Sequence, residues 1–287
     1  MIDLHTHTTA SDGTYSPEEL VRAAKTAQLD AIAITDHDTF AGYEEALPAA
    51  AEAGIELICG IELSTKMPVP GRPRGKSVHL LGYFPVKPPS EELRDWINSL
   101  QESRRDRNRR LAARLQELDV AITLEEVMAV GRSMTGRPHF ARVLMDKGYV
   151  SSLQEAFDKY LDESAEAFVE REEPSLGEGI RRITDGGGVP SIAHPIRLGR
   201  RTPQQEEDLI RQMGKMGLLA VEAYHSDHGP REQERYQVLA RRYGLAVTGG
   251  TDFHGDNKPD VRLGTGRENN VSVPNKVLDR VRQLARN

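Results

Sequence analysis

A chain of 287 residues, 38% hydrophobic and 29% charged, is long enough to bury a large core and has the balance of a water-soluble globular protein. No apolar run approaches a membrane span, and the first residues have neither the basic stretch nor the apolar core of a signal peptide, so a cytoplasmic protein without a membrane partner is expected. The net charge of -6 argues against wholesale wrapping of nucleic acid, and the single cysteine, Cys59 beside Leu57 and Ile58, excludes an intramolecular disulfide and reads as a packed thiol.

"MIDL" predicts a short strand. Pro17 to Gln28 predicts a helix, with Ser16 before it, Pro17 at its first position and Glu18 and Glu19 in its first turn. "DAIAIT" reads as a strand, "FAGYEEALPAAAEAG" as a helix interrupted by Pro48, and "IELICGIEL" as a strand. A loop rich in Pro, Gly and basic residues, Lys66 to Lys76, then leads into the strand "SVHLLGYF". This alternation, in units of about thirty residues, predicts parallel βαβ construction. From about Ser90 the strand signals vanish: "EELRDWINSLQESRRDRNRRLAARLQEL" is one long helix, followed by shorter ones at Leu124 to Val130, Pro138 to Lys147 and Leu153 to Tyr160. The βα rhythm returns with strands in "GVPSIAH", "LLAVEAYH" and "GLAVTGGTDFH", and helices around Leu176 to Thr184, Pro203 to Met213, Arg231 to Arg242 and Lys276 to Arg286. The expected fold is α/β, a distorted seven-stranded TIM-like barrel with a helical insertion, divided as 1–90, 91–174 and 175–287.

Nine histidines stand at 5, 7, 37, 79, 139, 194, 225, 228 and 254, most of them just after apolar runs. His5 and His7 follow "IDL", Asp36 and His37 follow "AIAIT", Glu62 follows "CGI", His79 lies inside "SVHLL", His194 follows "PSIA", and Asp252 and His254 follow "AVTGG". In a parallel barrel the carboxyl ends of the strands share one face, so residues scattered along the chain converge there. His5 and His7, two apart on extended backbone, project to the same side, as do Asp252 and His254. Imidazole supplies one lone pair to a metal, whereas a carboxylate can bridge two. Six of these histidines with Asp12, Glu62 and Asp252 exceed the needs of one tetrahedral ion and suit two or three cations, with manganese, iron and zinc all compatible with the donor set.

The segments "DLHTHTTASDGTYSPEEL", "ITDHDT", "GIELST", "VHLLGY", "AHP" and "GTDFH" resemble, in order and over most of the chain outside the insertion, the PHP (polymerase and histidinol phosphatase) family of metal-dependent phosphoesterases. The insertion, with "TGRPHFARVL", is similar to the branch containing nucleoside 3',5'-bisphosphate phosphatases and RNase AM exoribonucleases. The resemblance implies one metal on His5, His7, Glu62 and Asp252, a second on Asp12, His37 and His254, and a third on Glu62, His79 and His194, with Asp36 orienting His37 or a neighbour. It implies hydrolysis of a phosphate ester by a metal-activated hydroxide, without a phosphoenzyme. Asp12, Asp252, His194 and His228 are the residues expected to act in catalysis, and His194, His225 and His228 are the candidates for protonating the leaving alcohol.

A substrate phosphate needs positive partners beyond the metals. Arg137 stands immediately before a helix with Pro138 near its start and His139 beside it, which combines a helix dipole with an arginine fork. In "RRDRNRR", the spacing of Trp96, Leu100, Leu111, Leu115 and Leu118 puts Arg104, Arg107 or Asn108 where an apolar residue would be expected, so this turn is predicted to cross the mouth of the site. With Arg72 and Arg74, these side chains would make the cleft locally basic, suited to a nucleotide with two phosphates or the 5' end of a short RNA. Histidinol phosphate phosphatase, an amidohydrolase and a non-catalytic metal-binding module are the competing readings. No obligate protein partner is expected, and loss of even a few N-terminal residues is expected to cost both fold and metal.

Overall fold

In the computed structural model, residues 1–69, 72–131, 135–199 and 202–286 are described, without the side chains at 69 and 72–74. The elements in chain order begin β1 (Ile2–Thr6), α1 (Pro17–Thr26), β2 (Ala31–Ile34), α2 (Ala41–Ala53), β3 (Glu56–Val69) and β4 (Arg72–Phe84). Then follow α3 (Glu91–Glu117), α4 (Leu124–Gly131), α5 (Arg137–Asp146) and α6 (Leu153–Ala156), the last running into a π-helical turn, Phe157–Leu161. The chain ends with α7 (Leu176–Asp185), β5 (Val189–Ile192), α8 (Pro203–Lys215), β6 (Ala220–Tyr224), α9 (Pro230–Arg242), β7 (Ala246–Gly249) and α10 (Lys276–Ala285).

The seven strands form one sheet in sequence order. β1, β2 and β3 are mutually parallel, as are β5, β6 and β7. β4 runs antiparallel to both of its neighbours, which corrects the expectation of a wholly parallel sheet. The segment read as a Lys66 to Lys76 loop belongs instead to a β3–β4 hairpin, with Lys66 opposite Ser77 and Met67 opposite Lys76. A register shift lies next to Met67, and Gly75 takes φ 71°, where a side chain would press on the Met67 carbonyl.

β1 and β7 share no ladder. Their ends are joined by a single bridge between Thr6 and Phe253, by His7 N donating to Phe253 O at 2.9 Å, and by Asp252 N donating to His5 O at 2.8 Å. Gly250 permits this approach, because a Cβ there would overlap the His5 backbone nitrogen.

Inward positions form a graded series. Ile2, Leu4, Ala31, Ala33, Ile58, Leu81, Tyr83 and Val189 pack with Val277, Leu278 and Val281 of α10 into an apolar floor. Period-2 alternation then carries Ile58 up to Glu62 on β3. On β4 the same climb runs backwards along the chain, from Tyr83 through Leu81 to His79. This is why His79 lies well inside its strand, whereas His5 sits near the end of β1 and His7, His37, His194 and His254 follow their strands.

The α1 cap matches the sequence signals: Ser16 accepts from Glu19 N, and Glu19 Oε2 accepts from Ser16 N, a pairing worth about 1 kcal/mol. α2 is not interrupted at Pro48; the helix runs through it, because Pro48 faces solvent, where water can satisfy the carbonyl that its ring leaves unpaired. α3 joins two cores. Leu93 and Ile97 belong to the barrel's outer core, whereas Leu111 and Leu115 belong to a separate cluster with Val127, Phe140, Leu144 and Leu161. Between them Arg107 and Asn108 are buried on the same face. None of the described helices is long and apolar enough to cross a membrane.

Candidate functional site

The polar residues at the strand ends converge on Glu62, which is almost fully buried. Its two oxygens face different groups. Oε2 lies 3.3 Å from His5 Nε2, 3.1 Å from His7 Nε2 and 3.3 Å from His37 Nδ1, while Oε1 lies 2.9 Å from both His79 Nδ1 and His194 Nε2. Asp252 Oδ1 is 3.5 Å from His5, His7 and His254 nitrogens. Asp12 reaches in from the loop after β1, with Oδ1 3.2 Å from His254 Nε2 and Oδ2 3.7 Å from His37 Nε2.

The donor set fits divalent cations. His5 Nε2, His7 Nε2 and His37 Nδ1 are buried and have no hydrogen-bond partner, although each is aimed at a carboxylate. His5 Nδ1 is 2.8 Å from Glu222 Oε1 and His254 Nδ1 is 2.9 Å from the Asp252 carbonyl, so each carries its proton on Nδ1 and turns a lone pair inward from Nε2. His5, His7, Glu62 and Asp252 can bring ligand atoms within 4.8 Å of one another, as can His7, Asp12, His37 and His254, and also His37, Glu62 and His79.

Electrostatics point the same way. Burial alone would raise the Glu62 and Asp12 carboxyls, but the surrounding imidazoles hold both well below the usual range. Burial opposes a proton on His7, yet Asp252 and Glu62 lift it to about 9; His37, where burial dominates and His7 and His79 add repulsion, is pushed down to about 3.

Several supporting groups went unread in the sequence. Glu222 accepts from His5 Nδ1 and, at 2.6 Å, from His194 N; the one acid in the apolar strand "AVEAY" was its signal. Asp3 accepts from Thr251 N, Thr251 Oγ1, Gly264 N and His5 N. Of the two roles expected for Asp36, the contacts are with a neighbour and not with His37: it accepts from Thr8 N, Thr8 Oγ1 and Ser11 Oγ, fixing the loop that carries His7 and Asp12. Asp252 Oδ2 is met by Lys258 at 2.6 Å, Arg197 at 3.0 Å and His225 Nε2 at 3.4 Å.

His228 is not where a catalytic role would place it. The turn closed by His228 N donating to His225 O folds its ring back onto β6, where Nδ1 contacts the Ala223 carbonyl and the ring lies 4.9 Å from that of Tyr236. His225 is the member of "YHSDHG" that reaches the carboxylates.

Beside the cluster, Asp12, His37 and His79 share the wall of a cavity of about 220 Å³ with Arg104, Arg107, Arg137, His139, Phe157 and Arg171. His139 Nδ1 accepts from Gly136 N at 2.9 Å, which caps α5 and leaves its proton on Nε2. Arg104 and Arg171 are both paired to Asp38, which also accepts from Ser64 N and Ser64 Oγ. The side chains of Arg72 and Arg74 lie outside the described residues.

A model of the PHP domain matches residues 3–172. The chain is 32% identical, over 91% of its length and 90% of the relative's, to the 3',5'-nucleoside bisphosphate phosphatase of Chromobacterium violaceum. It is 34% identical, over 88% of its length and 89% of the relative's, to a 5'-3' exoribonuclease of Haemophilus influenzae. A crystal structure from Bifidobacterium adolescentis, provisionally described as a metal-dependent phosphoesterase, superposes with a TM-score of 0.80 at 31% identity, covering 98% of this chain and 94% of the other. With its histidine and carboxylate cluster assembled at the strand ends, the chain belongs to the PHP domain family.

Proposed function

We propose that this metal-dependent phosphoesterase removes the 3'-phosphate of nucleoside 3',5'-bisphosphates, and that it also degrades short RNA from the 5' end. The carrying observation is the shared cavity wall: Asp12, His37 and His79 on one part, and Arg104, Arg107, Arg137 and Arg171 on another. A substrate with a single small anion would not need so many cationic side chains beside the cluster. The names of the relatives support the same reading, since one acts on a nucleoside bisphosphate and the other on RNA.

His5, His7, Glu62 and Asp252, then Asp12, His37 and His254, then Glu62, His79 and His194 would hold two to three divalent ions, manganese first. Such ions, when bound, supply Lewis-acid charge to the phosphoryl oxygens and a water acidic enough to serve as nucleophile near neutral pH. Glu62 sets the spacing by offering one oxygen to each side. Glu222 and the Asp252 carbonyl hold His5 and His254 in the tautomers that face inward, and Asp36 keeps the Thr8 to Ser11 loop in register. His225, outside that ligand set and with its ring 5.5 Å from that of His194, is the proposed proton donor to the leaving oxygen. Residues 91–174 act as a substrate-capping domain, and the protein works in the cytoplasm on small nucleotides.

The test is release of phosphate or nucleotide by manganese-reconstituted protein from adenosine 3',5'-bisphosphate, histidinol phosphate and 5'-phosphorylated RNA. Turnover of the first and third above the second supports the reading. Turnover of histidinol phosphate alone, or of none, overturns it.

A further inference from the structure

The three acids proposed to hold the ions are not equally placed. Among the described residues, neither Asp12 nor Glu62 has a lysine or arginine within 4 Å; the basic groups beside them are the histidines of the cluster. Asp252 differs, because its two oxygens have separate surroundings. Oδ1 lies 3.5 Å from ring nitrogens of His5, His7 and His254. Oδ2 instead meets Lys258 Nζ at 2.6 Å, Arg197 Nη2 at 3.0 Å and His225 Nε2 at 3.4 Å. His225 Nδ1 accepts from Asp227 N at 2.9 Å, which leaves the ring proton on Nε2, so all three groups present a proton to the same oxygen.

Arg197 and Lys258 do not contribute alike. Arg197 is shared, with Nε and Nη2 at 2.7 Å and 2.6 Å from Asp227 Oδ2, so much of its charge is answered outside the cluster. Lys258 has no second acid within 4 Å among the described residues. The fold holds its backbone in place: Lys258 N donates to the Gly255 carbonyl and Val261 N to the Lys258 carbonyl, both at 3.0 Å. The same turn reaches the far side of the cluster, where Asn257 Nδ2 donates to the Asp12 carbonyl at 2.8 Å. An ammonium so placed acts on a carboxylate ligand in two ways. It occupies one oxygen and withdraws charge that the other would give to a bound cation, and it repels that cation directly.

We infer that Lys258 makes Asp252 a one-oxygen, weakened ligand, loosening its grip on the ion it shares with His5 and His7 and raising the Lewis acidity available there. This rests on the proposed phosphoesterase reading and deepens it. Lys258 is a positioning residue that works through Asp252 and needs no contact with substrate.

The experiment compares the wild-type protein with Lys258→Met, which removes the charge and keeps an apolar stem, Lys258→Gln, which keeps a donor without charge, and Lys258→Arg, which keeps the charge. Melting curves establish that each is folded; metal-free protein is titrated calorimetrically with manganese, and kcat is measured at saturating manganese on adenosine 3',5'-bisphosphate and on an aryl phosphate. Lys258→Met and Lys258→Gln are expected to bind at least one ion about tenfold more tightly than wild type, and to lose about tenfold in kcat on both substrates, while Lys258→Arg stays near wild type in both respects. A residue with a merely structural role would not tighten binding. Unchanged or weaker manganese binding in the uncharged variants overturns the inference, since Lys258 would then only aim the carboxylate or decorate the surface. Tighter binding with unchanged kcat overturns it too, because Lys258 would then only stand in for an absent ion. If Lys258→Met does not fold, Lys258→Gln against Lys258→Arg decides, and equal affinities overturn the inference. Wild-type turnover of the bisphosphate alongside unchanged affinities removes the role of Lys258 and leaves the phosphatase reading standing. Conversely, a wild-type protein that hydrolyses the aryl phosphate but neither bisphosphate nor RNA removes that reading, while tighter binding with lower kcat on the aryl phosphate preserves the role of Lys258.

Discussion

Replacing Glu222 by Gln keeps the size and shape of the side chain, yet it should disable the metal centre. Both Glu222 oxygens accept: Oε1 from His5 Nδ1 at 2.8 Å and Oε2 from the His194 backbone N–H at 2.6 Å, and the residue is fully buried. An amide offers only one acceptor. If the glutamine keeps His194, its NH₂ faces His5, which must move its proton to Nε2, the atom that faces Glu62 and Asp252. If it keeps His5, two donors confront each other and a buried N–H goes unpaired, at about 1–3 kcal/mol. The first route costs metal affinity, by about 10- to 100-fold for the loss of such an outer partner; the second costs stability. The assay is calorimetric titration of the metal-free protein with manganese, paired with its melting curve. Glu222→Gln should show weaker binding, a lower melting temperature, or both. Affinity and melting both equal to wild type would refute the argument that Glu222 sets the His5 tautomer.

Three further outcomes follow from the same structure. Asp38→Asn should destabilise the protein by about 3 kcal/mol in urea, since it strands the Arg104 and Arg171 charges; a change under about 1 kcal/mol would count against this clamp. His228 is buried and neutral, pushed by burial and by His225 from 6.5 down to about 4; its folded value is depressed, so its contribution is complete above pH 6.5 and is lost as pH falls through 4, on the order of 3 kcal/mol in all. His228→Asn can still donate to the Ala223 carbonyl and should flatten that acid limb of metal-free stability without abolishing it, because His37 titrates there too; an unchanged limb would argue against it. Manganese binding near pH 7.5 should release at least one proton, because His7 is held up at about 9 in the metal-free protein. Calorimetry in two buffers of different ionisation enthalpy reads this directly, and buffer-independent heats would contradict it.

Much of the framework was legible because each part had a short-range cause. Ser16, Pro17 and Glu19 announce α1 through capping chemistry, and four-residue apolar strands such as "AIAI" and "VPSI" are buried throughout. The direction of β4 was not legible, because period-2 alternation looks the same read from either end; only the position of His79 inside its strand hinted at the reversal. Pro48 was misread because the cost of a helical proline depends on which side faces water, which a single local pattern does not disclose. Among the site residues, those on strand ends were readable from spacing. His225 and His228 share the same polar loop, and only the turn between them decides which reaches Asp252.

The arginine run shows where sequence reasoning stops most clearly. Arg104 and Arg107 are both anomalies in an apolar stripe, and nothing in their spacing separates them. What separates them is Asp38, in the loop that follows β2, seated at φ 53°. Of the seven non-glycine residues with positive φ among those described, Asp38, His194 and Asp252 belong to this site, and such conformations cost about 1–3 kcal/mol each. His194 at φ 28° also precedes Pro195, which steers its neighbour toward extended backbone. Each is over-determined by its contacts: Asp38 by Ser64 and two arginines at its carboxylate, His194 by Glu62 at its ring and Glu222 at its backbone N–H, Asp252 by Lys258, Arg197 and His225 at its carboxylate. Strain in the backbone and ion pairing in the side chains are therefore coupled here, and the same contacts that hold these residues out of relaxed geometry aim their oxygens and nitrogens at one centre. A substitution that relieves the strain, such as glycine at position 252, would remove the aiming with it.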